Sequence, residues 1–211
     1  MRYFADSVSN LPFLVIGLAG VAHCLSAGRG AAWTAVFAGA IAIAFGSTYY
    51  HQAPDDARLL WDRLPIALTF MAFLVALLDD HLERPPGLAW LVGALALGAA
   101  GVFYWRETGD LRLYLWTQVV PLLAIPVVLL LFPARHPMER TAGRSAYWWV
   151  FACYLAARAT ELADFPVFKA TAGIVSGHTL KHLIAALGLA LLLGMLARRA
   201  ARDTRLTARP G

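Results

Sequence analysis

The sequence predicts an all-α fold, a bundle of seven transmembrane helices joined by short loops. Three observations carry that prediction: 60% of the 211 residues are hydrophobic, only 15% are charged, and the mean hydropathy is +0.61. That balance is far from the one a water-soluble domain keeps. A helix crossing a bilayer needs ~20 mainly apolar residues, and seven such runs alternate with polar or Gly/Pro-bearing breaks. The predicted spans are 8–26, 31–52, 58–79, 86–104, 110–132, 145–163 and 173–197, forming one domain over 1–197, followed by a basic, cytoplasmic, disordered tail over 198–211. Loops of roughly four to twelve residues leave no room for a separate soluble domain.

Taken in order, the first span opens on the polar SVSN of residues 7–10, which interrupts the pattern of a cleaved signal peptide. FGSTYYHQ ends the second span, and LLWDRLP enters the third. The fourth is recognised by hydrophobicity alone. The fifth contains Pro121 and Pro126, which are expected to bend it and so to widen a lipid cavity. RATELAD near the end of the sixth places Arg158 and Glu161 at i and i+3, more readily a structural pair than a substrate contact. SGHTLKHL opens the seventh.

The formal net charge of +5 raises the question of a polyanionic partner, but the position of the charges answers it. Loops 1–2, 3–4 and 5–6 together with the C-terminus carry ten arginines, against five basic residues on the other side. The positive-inside rule then puts the C-terminus in the cytoplasm and the N-terminus outside, with no nucleic acid required. The seven tryptophans mostly lie near span ends, as interface anchors do. Cys24 and Cys153 fall within spans as small apolar residues, so no disulfide is expected.

Ionisable groups inside a bilayer are costly, and those that persist face the bundle interior and mark functional sites. Ser47 and His51 stand at i and i+4 near the end of the second span, Asp62 about one turn into the third, and His178 and His182 at i and i+4 at the start of the seventh. Alternating the spans puts all five at the same membrane face, the outer one, along with Asp6, Ser9 and Asn10. His23, His81 and His136 fall at the other face. Three neutral imidazoles with one open position suit a catalytic zinc ion. Zinc lowers the pKa of bound water to ~7. Asp62 would then move the proton, and Ser47 would hydrogen-bond the water or the developing oxyanion. Taken alone, a histidine pair at i and i+4 in a membrane helix is more often an interhelical hydrogen bond, Asp62 beside Arg63 can be an ion pair, and a lone serine is ordinary helix packing. Convergence of five such residues at one depth favours the metal site.

The spacing Ser47-x3-His51-x10-Asp62, then His178-x3-His182, resembles the CREST superfamily of seven-span membrane hydrolases and receptors. SVSNLPF, GSTYYH, DRLP and SGHTLKHL are most similar to the alkaline ceramidases, and the ten-residue gap from His51 to Asp62 separates that branch from the adiponectin receptors. The resemblance implies that His51, His178 and His182 hold Zn2+, that Ser47 assists at the metal, and that Asp62 transfers the proton. The implied reaction is hydrolysis of the amide of ceramide, a membrane lipid, to a sphingoid base and a fatty acid. The eukaryotic members also bind calcium through an acidic segment before the first span. Here only eight residues precede Ser9, Arg2, Tyr3 and Phe4 stand where a carboxylate is expected, and no calcium site of that type is predicted. Compactness and Ala/Arg-rich composition resemble bacterial members, implying an inner-membrane location and a substrate that need not be ceramide itself. The alternatives are a lipid receptor or sensor with structural zinc, and a transporter, for which no inverted repeat is present.

Overall fold

A computed structural model describes residues 4–132 and 142–207. All regular structure among them is helical: α1 (Phe4–Val8), α2 (Leu11–Ser26), α3 (Ala31–Gln52), α4 (Asp56–His81), α5 (Gly87–Thr108), α6 (Arg112–Leu131), α7 (Ala142–Leu162), α8 (Asp164–Ala170) and α9 (Gly177–Thr207). Six helical segments are long and apolar enough to cross a membrane, with α1 and α2 counted as one segment. The sixth predicted span is present as α7, whose 21 residues are long enough. It is not apolar enough to join the six, because Arg144, Arg158 and Glu161 dilute its apolar residues. Large apolar side chains cover the outside, with Leu25, Leu130 and Leu131 each 70% exposed. Such a surface is stable against hydrocarbon and not against water.

The helices form a closed ring. α3 lies between α2 and α4, α4 also packs on α5 and α6, α6 meets α7, and α9 returns against both α7 and α2. Val36, Phe37 and Ala40 of α3, Ala72, Ala76 and Leu77 of α4, Tyr147 of α7 and Leu196 of α9 are completely enclosed.

One end of the ring is tied by a buried ionic knot. Arg199 of α9 donates to Asp80 Oδ2 of α4 at 2.8 Å, and the Tyr147 hydroxyl of α7 donates to the same oxygen at 2.5 Å. The other end holds the candidate site.

Several sequence expectations need correction. α2 fills residues 11–26 of the predicted first span, and the chain turns at Ser9 and Asn10 just before it, where Pro12 has no N–H to return to the Val8 carbonyl. α8 fills a segment with no predicted structure. The expected disordered tail from 198 is instead a continuation of α9 to Thr207, drawn on by Arg199 in the knot and by the 2.9 Å pair of Asp203 with Arg29. Trp33 is no interface anchor. It is 3% exposed and packs against Phe37 and Phe73, whereas Trp61, Trp90, Trp116 and Trp149 are 54–64% exposed. α6 contains both Pro121 and Pro126, the positions expected to bend it. Both cysteines are free and buried. His136, Arg135, Arg140 and residues 208–211 lie outside the described residues.

Candidate metal centre

The site is assembled by two close helix contacts that glycine permits. A Cβ at Gly46 of α3 would stand 2.0 Å from the Trp61 carbonyl oxygen of α4. That carbonyl lacks its usual helical donor, since the residue four places on is Pro65. The following residue on each helix is a predicted site residue, Ser47 on α3 and Asp62 on α4. A Cβ at Gly177 would similarly stand 2.0 Å from the Thr160 carbonyl oxygen of α7. The start of α9 is thus pressed against the end of α7.

Capping then fixes the direction of α9. Ser176 Oγ accepts from the Thr179 amide at 2.9 Å, and Asp164 Oδ1 of α8 accepts from the His178 amide at 2.7 Å. Both satisfy donors that a helix start leaves open, and the carboxylate also suits the positive end of the helix dipole. Glu161 of α7 accepts from Lys181 Nζ at 2.9 Å and also pairs with Arg158, the partner expected from RATELAD.

These constraints bring His51, in the last turn of α3, against His178 and His182, in the first turns of α9. One nitrogen from each ring lies within 4.8 Å of the others. The Nε2 atoms of His51 and His178 are 3.0 Å apart. Ring centroids are separated by 4.8 Å for His51–His178, 5.5 Å for His51–His182 and 4.6 Å for His178–His182. His51 and His182 are each 5% exposed and His178 is half-buried. Two nitrogens on a tetrahedral ion with bonds of ~2.0–2.1 Å stand about 3.3 Å apart, so this donor set fits a small divalent cation.

The other predicted residues come to the same end. Asp62 interacts electrostatically with His51 and Lys181 but stands outside the tight imidazole set. Ser47 is 2% exposed, and its hydroxyl has no well-formed hydrogen bond among the described residues. A buried hydroxyl in that condition has capacity for a further partner. Asn10 Oδ1, in a residue 1% exposed, is in the same condition.

Sequence reasoning underrated the N-terminal segment. Asp6 Oδ1 accepts from Thr179 Oγ1 at 2.6 Å and Ser176 Oγ at 3.1 Å. Ser9 Oγ lies 2.8 Å from His182 Nδ1. The polar run DSVSN facing a serine-capped helix was the available signal, but only the fold shows which residue meets which. Lys181 and Asp164 were also missed, since each reaches the site through a tertiary partner.

The family model described as Ceramidase matches residues 3–205. No curated protein sequence matches the chain. The match spans nearly the whole molecule, including every element that builds the imidazole cluster, and the chain therefore belongs to the ceramidase family.

Proposed function

We propose that this protein is a zinc-dependent intramembrane amide hydrolase that cleaves the N-acyl bond of ceramide or a ceramide-like lipid. The observation that carries the reading is the meeting of His51, His178 and His182 from two distant helices in a chain of the ceramidase family, whose reaction is a hydrolysis and whose substrate is a lipid. The receptor alternative is not favoured by that membership.

The same cluster supports a reading of seven crossings. The chain leaves the site end along α4, returns along α5 and departs again along α6. α9 nevertheless begins at the site end, and in this reading α7 carries the chain back. Its packing between α6 and α9 supports this path. With the arginine distribution, the site then lies on the non-cytoplasmic side.

His51, His178 and His182 would hold the metal. A bound zinc ion supplies Lewis acidity, polarising the amide carbonyl and making water nucleophilic near neutral pH. Asp62 takes a proton from the attacking water and later delivers it to the amide nitrogen. One C–O bond forms, the C–N bond breaks, and the products are a fatty acid and an amine. The Ser47 hydroxyl, buried beside the Asp62 carboxyl, orients the water or donates to the carbonyl oxygen. The surrounding apolar helices keep bulk water from these groups and admit a lipid from the side.

The test is mass-spectrometric detection of fatty acid released from ceramides and other N-acyl lipids by the purified protein and its Asp62→Asn variant, with metal content measured on both. The expected outcome is release by the wild type, a ~10²- to 10⁴-fold slower rate in the variant, and equal zinc in both. Release undiminished in the variant would remove Asp62 from its role. A wild-type protein without bound metal would remove the zinc reading.

A further inference from the structure

We propose that Ser9 is a positioning residue for the metal centre, its hydroxyl selecting the His182 tautomer that leaves Nε2 unprotonated toward His51 and His178. The inference rests on the reading that the three imidazoles hold a metal.

The argument is one of counting protons. A serine hydroxyl carries one, and a neutral imidazole carries one on either Nδ1 or Nε2. Ser9 Oγ has two neighbours within hydrogen-bond distance, the Asp6 carbonyl oxygen at 2.9 Å and His182 Nδ1 at 2.8 Å. The carbonyl can only accept, so the Ser9 proton goes to Asp6. His182 must then donate from Nδ1. Its Nε2 keeps a lone pair, which is the form a metal ligand requires, and donation from the other ring nitrogen to an outer partner is how such ligands are held. The opposite assignment puts two oxygen lone pairs against each other at 2.9 Å and turns an N–H into the imidazole cluster.

The surroundings fix Ser9 in this role. Asn10 Nδ2 donates to the same Asp6 carbonyl at 2.9 Å, and the Asp6 carboxylate is bound to Ser176, just before α9, and to Thr179 in its first turn. The short helix α1 is thereby anchored to the helix it orients. Ser9 is 5% exposed, so water does not compete for the bond. The Phe13 ring meets His182 edge-on with centroids 6.3 Å apart. Packing limits the ring's tilt but does not distinguish its nitrogens.

The experiment uses the full-length protein in lipid nanodiscs. Zinc affinity is measured by competition with a chelator for the wild type, Ser9→Ala and Ser9→Thr, and the apo protein labelled with ¹⁵N-histidine is examined by NMR to identify the protonated nitrogen of His182. The expected results are Nδ1–H in the wild type, a ~10- to 100-fold loss of zinc affinity in Ser9→Ala, and recovery of most of that loss in Ser9→Thr, which keeps the hydroxyl. Equal affinity in wild type and Ser9→Ala, or Nε2–H in the wild type, would overturn the role of Ser9 while leaving the metal site intact. A wild type that binds no zinc would overturn both readings. Ser9→Ala that loses affinity without rescue by threonine, accompanied by lower thermal stability, would reduce Ser9 to a packing residue.

Discussion

The two ends of the bundle both bury polar groups, and do so in opposite ways. At the far end Asp80, Tyr147 and Arg199 bring together an anion, a neutral donor and a cation, and the charges cancel within the cluster. At the site end three imidazoles face one another, with the Ser47 hydroxyl beside the Asp62 carboxyl. In the first arrangement opposite charges face each other and hold helices together. The second gathers ring nitrogens of one kind, an arrangement that a shared cation would satisfy. Burial of polar groups is thus common to both ends, and paired opposite charges against gathered metal-ligating nitrogens is what separates them.

The strongest way to break this contrast is to remove one imidazole. His182→Ala is expected to lower zinc affinity at least ~100-fold and to reduce fatty acid release to background, with helix content by circular dichroism unchanged. Undiminished zinc content would mean that the cluster is not the metal site. At the other end, Asp80→Ala leaves the Arg199 guanidinium buried without its carboxylate, which is expected to destabilise the fold by ~3–5 kcal/mol. Thermal unfolding in detergent measures this, and the folded fraction should keep its zinc. An equal loss of zinc per folded molecule would show that the two ends are not separable.

Gly46→Ala tests the contact that assembles the site. Its Cβ meets backbone, the Trp61 carbonyl oxygen at 2.0 Å, and not the tip of a flexible side chain. Forcing α3 and α4 apart should cost ~1–3 kcal/mol and slow turnover by separating Ser47 from Asp62. Turnover at the wild-type rate would show that their spacing tolerates the shift. The smallest effect is expected for Arg158→Gln. Its pair with Glu161 leaves Arg158 47% exposed, and such pairs contribute ~0–1 kcal/mol. Lys181 continues to hold Glu161, so zinc content should not change. A marked loss would make Arg158 part of the site.

Much of this was legible in the residues, for definite physical reasons. Hydrophobic runs of bilayer length predicted the long helices, and α3 coincides with its predicted span of 31–52. The i, i+4 spacing of His178 and His182 predicted a shared face, and counting alternate spans brought His51 to the same end. What escaped depends on contacts between distant elements. Asp80 and Arg199 are 119 positions apart, and nothing near Arg199 distinguishes it from neighbouring surface arginines. Ser9 and His182 are 173 positions apart. Trp33 lies near a span end like the lipid-facing tryptophans, and only its pocket between Phe37 and Phe73 sets it apart. α8 has too few residues to display a period.

The division of the cluster between α3 and α9 also has a consequence for biosynthesis. Two of the three imidazoles reside on α9, and the third waits on α3, made more than a hundred residues earlier, with His51 and His178 separated by 127 positions. A nascent chain that has inserted α1 to α8 has the carboxylate and one imidazole but no chelating set. Ring closure by α9 against α2 and α7 creates the centre in the same event that finishes the bundle. Chains stalled or truncated before that point lack the histidine cluster, so its presence reports completed assembly.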